Sequence, residues 1–131
     1  MDNFKEKLVK NYGWSYEQIE LAIRANCKCE YCDKDMFLSA DNYKLWEVDH
    51  IIPKSCGDKS FDYEKFENKS IACRQCNVSY KSKYNPASEI GYNKNREDYI
   101  FQIRKYVLEK REENNLKLRD IKELFAQIQE Y

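Results

Sequence analysis

No run of apolar residues in this sequence approaches the roughly 20 residues that a membrane-spanning helix requires. The first ten residues, MDNFKEKLVK, mix charged and apolar side chains and lack the continuous apolar segment of a secretory signal peptide. We therefore expect a cytoplasmic protein. Net positive charge is also lacking, since 23 basic residues balance 23 acidic ones. The chain as a whole is thus not the electrostatic footprint of a nucleic-acid-binding protein.

Histidine is nearly absent, with one residue, whereas cysteine is abundant, with six. The six are Cys27, Cys29, Cys32, Cys56, Cys73 and Cys76. In a reducing cytosol, cysteines at these spacings favour metal binding over disulfide bonds. The alternative, a secreted domain held by disulfides, fits poorly because no export signal is visible. Cys56 stands alone in a predicted loop, and we interpret it as a free or buried thiol.

Two C-x2-C pairs, Cys29 with Cys32 and Cys73 with Cys76, predict a structural zinc site. A C-x2-C turn presents two thiolates to one tetrahedral ion at about 2.3 Å each, so two such turns complete a closed site. Cys27 offers a competing thiol. We prefer Cys29 because its spacing to Cys32 matches that of the second pair.

Periodicity and turn residues predict an α+β fold in one domain. A capping box at Ser15 starts a helix that continues to Asn26. Beyond residue 96, two amphipathic stripes are separated by Asn114 and Asn115. The predicted elements are a short helix near residues 4–9, strands at 44–49 and 71–72, and a short helix at 77–84. We divide the chain into N-terminal helices (1–26), a zinc-bound core (27–84) and C-terminal helices (96–131).

A motif lies between and after the cysteine pairs. The segment DHIIP, residues 49–53, ends a predicted strand; Asn68 precedes the second cysteine pair, and Asn77 directly follows it. This arrangement resembles the HNH nuclease motif of the ββα-metal fold, in the cysteine-flanked subgroup found in phage, homing and restriction endonucleases. The resemblance covers roughly residues 29–83. It implies a ββα-metal core with a four-cysteine zinc site, flanked by helices.

The residue types suit phosphodiester hydrolysis. An imidazole such as that of His50, with an unperturbed pKa of about 6.5, takes a proton from water near neutral pH. Asp49 and Asn77 offer oxygen ligands to Mg²⁺ or Mn²⁺, an ion that would contact the scissile phosphate and stabilise the leaving alkoxide. The resemblance implies the same roles, with His50 as general base and Asp49 and Asn77 as metal ligands. It also implies that Asn68 orders the loop and orients the histidine.

Residues 69–96 carry several basic side chains against the single acid Glu89, with tyrosines interleaved. Such a stretch suits a phosphate backbone, and it equally suits a solvated surface. Members of the HNH family often place a lysine or arginine a few residues after the final His or Asn. Here the third residue after Asn77 is Tyr80, followed by Lys81. The candidates for phosphate contact are Arg74, Lys81 and Lys83.

We therefore predict a metal-dependent endonuclease that acts on DNA, with RNA left open. One such site cuts one strand, so a double-strand break implies a homodimer or two sequential nicks. One alternative is a non-catalytic zinc module that binds nucleic acid. Another is the nuclease subunit of a defence system, active only with a protein partner that docks on the C-terminal helices. No base-reading element stands out, so the recognised sequence is not predicted.

Overall fold

A computed structural model describes residues 2–128. The fold is α+β, as predicted. The helices are α1 (Asp2–Tyr12), α2 (Tyr16–Arg24), α3 (Ala40–Lys44), α4 (Ala87–Ile90) and α5 (Arg96–Ala126). The strands are β1 (Trp46–His50) and β2 (Lys69–Cys73), and a π-helical segment spans Gln75–Lys81. Short 3-10 turns at Lys54–Cys56 and Phe66–Asn68 lie in the loop between the strands. Within the described residues no helix is long and apolar enough to cross a membrane.

The capping box that starts α2 is confirmed. The Ser15 hydroxyl accepts from the Gln18 amide at 3.0 Å, and the Gln18 side chain accepts from the Ser15 amide at 2.9 Å. The helix ends at Arg24, two residues before the predicted end, because Asn26 and Cys27 adopt positive φ angles that no helix continues through. This turn leads the chain directly into the first cysteine pair.

The two strands pair antiparallel, with Asp49 opposite Ser70 and His50 opposite Lys69. The prediction of the second strand was too short because its first residues are polar, yet every residue of β2 is buried. Lys69 is accommodated there because its ammonium pairs with Glu17 at 2.7 Å. Burial of a charge is tolerated only with such a partner.

The helix predicted after the second cysteine pair is present but shifted and wider than an α-helix. It spans Gln75–Lys81 rather than residues 77–84. The Ser82 amide closes the segment on the Asn77 carbonyl at 2.9 Å, and Ser82 then takes a positive φ of 48°. A π-helical turn places one extra residue in the turn and is frequently found at functional sites.

The C-terminal stripes do not form separate helices, so the predicted interruption at Asn114 and Asn115 is wrong. Helix α5 is continuous, and the Asn114 side chain donates to the Lys110 carbonyl at 2.8 Å within the helix. Asparagine in a helix interior costs only a few tenths of a kcal/mol beyond better formers, about 0.7 at most. The first stripe packs on the core, whereas residues 112–128 are exposed along their whole length. The predicted partner surface on this half stays a prediction.

Candidate metal centre and catalytic site

The four predicted cysteines converge on one point. The sulfur atoms of Cys29, Cys32, Cys73 and Cys76 all lie within 4.8 Å of one another. Four ligands at about 2.3 Å from a tetrahedral ion are separated by about 3.8 Å, and the Cys32 and Cys73 sulfurs lie 3.8 Å apart. Cys27 is not part of the cluster. The donor set and its spacing therefore fit a zinc ion.

The pKa values of the four thiols shift in opposite directions. Hydrogen bonding among the thiols raises the pKa of Cys29 and Cys76 well above the usual range. The same network lowers the pKa of Cys32, and that of Cys73 to about 6. Four thiols at one centre compete for the available protons, and a divalent cation removes the competition by binding all four as thiolates.

Helix α5 brings two arginines to the cluster. Arg111 donates to the Cys76 sulfur at 3.5 Å and stacks its guanidinium over the Tyr80 ring at 4.8 Å. Arg104 donates to the Glu30 carbonyl, beside the first cysteine pair, at 2.7 Å. Four thiolates around a divalent ion would carry net negative charge, which the Arg111 guanidinium would offset, whereas Arg104 also pairs with Asp33. Neither arginine was predicted from the sequence, although their spacing of two helical turns was a signal.

An acidic face of β1 meets the π-helical segment. Glu47 and Asp49 are alternate residues of a strand and so share a face. The Asn77 side-chain amide donates to Glu47 at 2.8 Å, and the Lys81 ammonium lies 3.0 Å from an Asp49 oxygen. The structure thus brings the element carrying Asn77 against the strand carrying Asp49. Glu47 was not predicted as a site residue, although its position two residues before Asp49 in a predicted strand was a signal.

The structure buries Lys81, one of the three candidates for phosphate contact. Lys81 is 1% exposed, and its ammonium pairs with Asp49 and donates to the His50 carbonyl at 3.1 Å. Burial lowers the pKa of Lys81, while Asp49 opposes that shift. Lys81 is therefore an internal counterion. The other two candidates, Arg74 and Lys83, are exposed.

Substituting Lys81 with methionine is expected to lower the free energy of unfolding by about 3–5 kcal/mol, because the Asp49 carboxylate then lacks its buried counterion. Urea denaturation of the zinc-loaded protein measures this difference. The matched substitution Lys83→Met, at an exposed position, should change stability by about 0.5 kcal/mol or less. Equal stability of the two variants would contradict the assigned ion pair.

Tyr31 connects the four-cysteine cluster to Asp49. It lies between the two cysteines of the first pair, is 2% exposed, and donates its hydroxyl to Asp49 at 2.7 Å. The Ser70 hydroxyl donates in turn to Tyr31 at 2.7 Å. Burial, together with the charge of Asp49, raises the pKa of the tyrosine, so it stays a donor. The first cysteine pair therefore positions the carboxylate directly, a link that the sequence analysis missed.

His50 is the last residue of β1 and lies on the opposite face from Asp49. Its Nε2 atom lies 2.9 Å from the Glu64 carboxylate. Glu64 also pairs with Lys54 and with Lys69, and these contacts, that of Lys54 first, lower the pKa of Glu64 to about 2. Glu64 is therefore ionised beside the histidine. Nothing in the local sequence pattern marks it as a partner of His50.

Asn68 is 3% exposed and ties together the two ends of the loop that follows His50. Its side-chain oxygen accepts from the Ile52 amide at 2.8 Å, and its nitrogen donates to the carbonyls of Ile52 (3.1 Å) and Tyr63 (3.0 Å). The Asn68 carbonyl also accepts from the Ile51 amide at 2.7 Å. Asn68 thus acts on the backbone immediately after the histidine.

Comparison with protein-family models matches residues 29–83 to HNH endonuclease. The match includes both cysteine pairs, both strands and the π-helical segment, and it confirms the resemblance seen in the sequence. The four-cysteine cluster agrees with the zinc-binding subgroup of that family. No curated protein matches the chain.

Proposed function

We propose that this chain is a metal-dependent endonuclease that hydrolyses phosphodiester bonds in DNA, because residues 29–83 match the HNH endonuclease family model. One observation carries the proposal. Asp49 and His50 end a strand that packs against the segment bearing Asn77, and each of the three side chains has a partner that orients it. The two oxygen donors thus lie where β1 meets the π-helical segment, and the water-activating group is the next residue, at the end of the strand.

His50 is proposed as the general base. The ionised Glu64 carboxylate accepts from Nε2, which favours the tautomer protonated at that atom. Nδ1 then carries the lone pair that accepts a proton from the attacking water. Asn68 supports this arrangement by holding the backbone of the next two residues. Glu64 and Asn68 are positioning residues in this proposal.

Asp49 and Asn77 are proposed as ligands of the catalytic ion. The Asn77 side-chain nitrogen donates a hydrogen bond to Glu47 at 2.8 Å. The amide oxygen is therefore the atom left to act as a metal ligand. Carboxylate and amide oxygens suit Mg²⁺ or Mn²⁺. When bound, the ion supplies charge stabilisation at the scissile phosphate and the leaving oxygen. The exposed Arg74 and Lys83 are proposed to contact the phosphate backbone.

The zinc ion is proposed to be structural, since four cysteines leave no open position for substrate or water. Cys76 directly precedes Asn77, and Tyr31 of the other pair holds Asp49. Zinc at this cluster therefore organises both elements that carry ligands of the catalytic ion. The two metal sites have separate roles.

The proposal is tested by nicking of supercoiled plasmid DNA with Mg²⁺ or Mn²⁺. We expect cleavage by the wild-type protein and a loss of about 10- to 100-fold for Asn77→Ala and for Glu47→Gln, because both changes weaken the metal ligand set. Asn77→Asp, which keeps an oxygen ligand, should retain more activity than Asn77→Ala. Asn115→Ala, on the exposed half of α5, serves as the control. Unchanged rates for Asn77→Ala across a Mg²⁺ titration would contradict the ligand assignment.

One observation favours a second candidate, a zinc module that binds nucleic acid without cutting it. The Lys81 ammonium already neutralises Asp49, so a cation arriving there meets a carboxylate that has a partner. Under this candidate the protein shifts DNA in a binding assay yet leaves plasmid intact with every divalent ion. Metal-dependent nicking that disappears in His50→Ala decides for the endonuclease.

A further inference from the structure

A cavity of about 520 Å³ lies between the loop that follows His50 and the N-terminus of α5. Apart from the positioning residue Asn68, no residue with a role in the proposed hydrolysis lines it, although Ile51 and Ile52, directly after the histidine, form part of its wall. Small-molecule sites in proteins measure about 300–1,000 Å³. The cavity is therefore large enough for an organic ligand, and far larger than one inorganic ion needs.

Positive charge is in excess around this cavity. Four cations line it, Arg24, Lys65, Lys94 and Arg96, against two acids, Glu67 and Glu97. Lys65 and Lys94 are exposed, so a ligand that enters the cavity can contact both side chains. An anionic group is the ligand chemistry that this excess favours.

Two of these cations are crowded together. Arg24 from α2 and Arg96 from α5 both donate to the Lys69 carbonyl, so one acceptor serves two guanidinium groups. Only Arg96 has a carboxylate at short range, Glu30 at 2.6 Å. Burial, and then the charge of Arg96, lowers the pKa of Arg24. Across residues 2–128, the Nε atoms of these two arginines are the buried side-chain polar atoms that lack a hydrogen-bond partner.

Aromatic rings line the same cavity. Phe61 and Tyr92 pack with ring centroids 6.3 Å apart, and Tyr92 is 45% exposed. Lys65 holds its ammonium 4.6 Å from the Phe61 ring centre. An exposed ring beside cations is the combination that receives a nucleobase and its phosphate, because every base has a face that stacks.

We propose that this cavity binds one nucleotide unit, with its base against Tyr92 and Phe61 and its phosphate toward Lys94 and Arg96. An apolar ligand would not pair with the excess positive charge. Inorganic phosphate would not contact the aromatic rings and would leave most of the cavity volume unfilled. The unit is either one nucleotide of the bound DNA strand or a free mononucleotide. The strand-bound form rests on the proposed endonuclease function, whereas binding of a free nucleotide does not.

Calorimetric titration of the zinc-loaded full chain with dAMP tests the proposal. We expect dAMP to bind more tightly than deoxyadenosine or inorganic phosphate, since it alone offers both groups. Tyr92→Ala should weaken dAMP binding at least about fivefold through lost stacking, and Lys94→Ala should weaken it through lost charge. The matched controls Tyr12→Ala and Lys117→Ala replace exposed residues of α1 and α5 outside the cavity. No dAMP binding, or equal losses in the controls, would overturn the proposal.

The source of the nucleotide is decided with His50→Ala protein and a short DNA oligonucleotide. If Tyr92→Ala weakens binding of both dAMP and the oligonucleotide, the unit belongs to the DNA strand; if it weakens dAMP binding alone, the ligand is free. Plasmid nicking separates the two proposals. Nicking without dAMP binding overturns only the cavity assignment. Binding of dAMP without nicking overturns the endonuclease and the strand-bound form, and leaves the free-nucleotide site standing.

Discussion

Replacement of His50 by alanine is expected to abolish DNA cleavage while leaving the zinc site and the fold intact. General-base catalysis contributes about 10²- to 10⁴-fold to rate, and the chain has no second histidine to take over. The side chain is 28% exposed and has Glu64 as its side-chain partner, which keeps Lys54 and Lys69 after the substitution. The fold therefore loses little, and the effect falls on the chemistry.

Plasmid nicking rates, zinc content and thermal unfolding of the same protein samples measure these effects separately. Tyr12→Ala, an exposed substitution on α1, controls for purification and handling. Cleavage by His50→Ala within a few fold of the wild-type rate would remove the base from the proposed mechanism. A large loss of zinc in this variant would instead show that the histidine supports the fold.

Replacement of Cys32 by serine is expected to release zinc and unfold the domain. Structural zinc sites contribute about 10–16 kcal/mol of apparent binding free energy, comparable to the entire stability of a small domain, about 5–15 kcal/mol. Three of the four cysteines are fully buried in the main core, so loss of the ion exposes the centre of the molecule. Zinc content and far-ultraviolet circular dichroism measure the outcome.

Cys56→Ser is the matched control for that experiment. The Cys56 sulfur lies outside the cluster and contacts the Tyr63 hydroxyl at 2.7 Å, a contact that serine can replace. This variant should keep its zinc and its helical content. If the Cys32→Ser protein is folded but contains no zinc, the fold does not depend on a metal for its stability.

Local patterns in the sequence were enough to predict the zinc ligands and the outline of the core. C-x2-C turns, the capping box at Ser15 and the strand that ends at His50 each depend on residues close together in the chain. The family resemblance depended in addition on the order of three separate features along the chain, DHIIP, Asn68 and Asn77. The turns, the cap and the strand were predictable because the geometry of each is set within a few residues.

The limits of helix α5 show where local patterns mislead. Asn114 and Asn115 indicated a break, but the energetic penalty of asparagine in a helix is small, and the helix runs through both. Likewise Lys69 and Ser70 did not indicate a strand, because a buried lysine is acceptable only once its distant partner Glu17 is in place. A low local penalty thus decided the extent of α5, whereas a partner far along the chain decided the burial of β2.

The sequence by itself was enough to predict that four cysteines form one metal-binding cluster, and that a single histidine follows an acid at the end of a strand. Only the tertiary structure decided which groups surround them: Tyr31 and Lys81 on Asp49, and Glu64 on His50. It also decided that Lys81 faces inward. Ligand spacing is a property of the local backbone, whereas counterions and hydrogen-bond partners are chosen by burial, which exists only after distant segments have packed together.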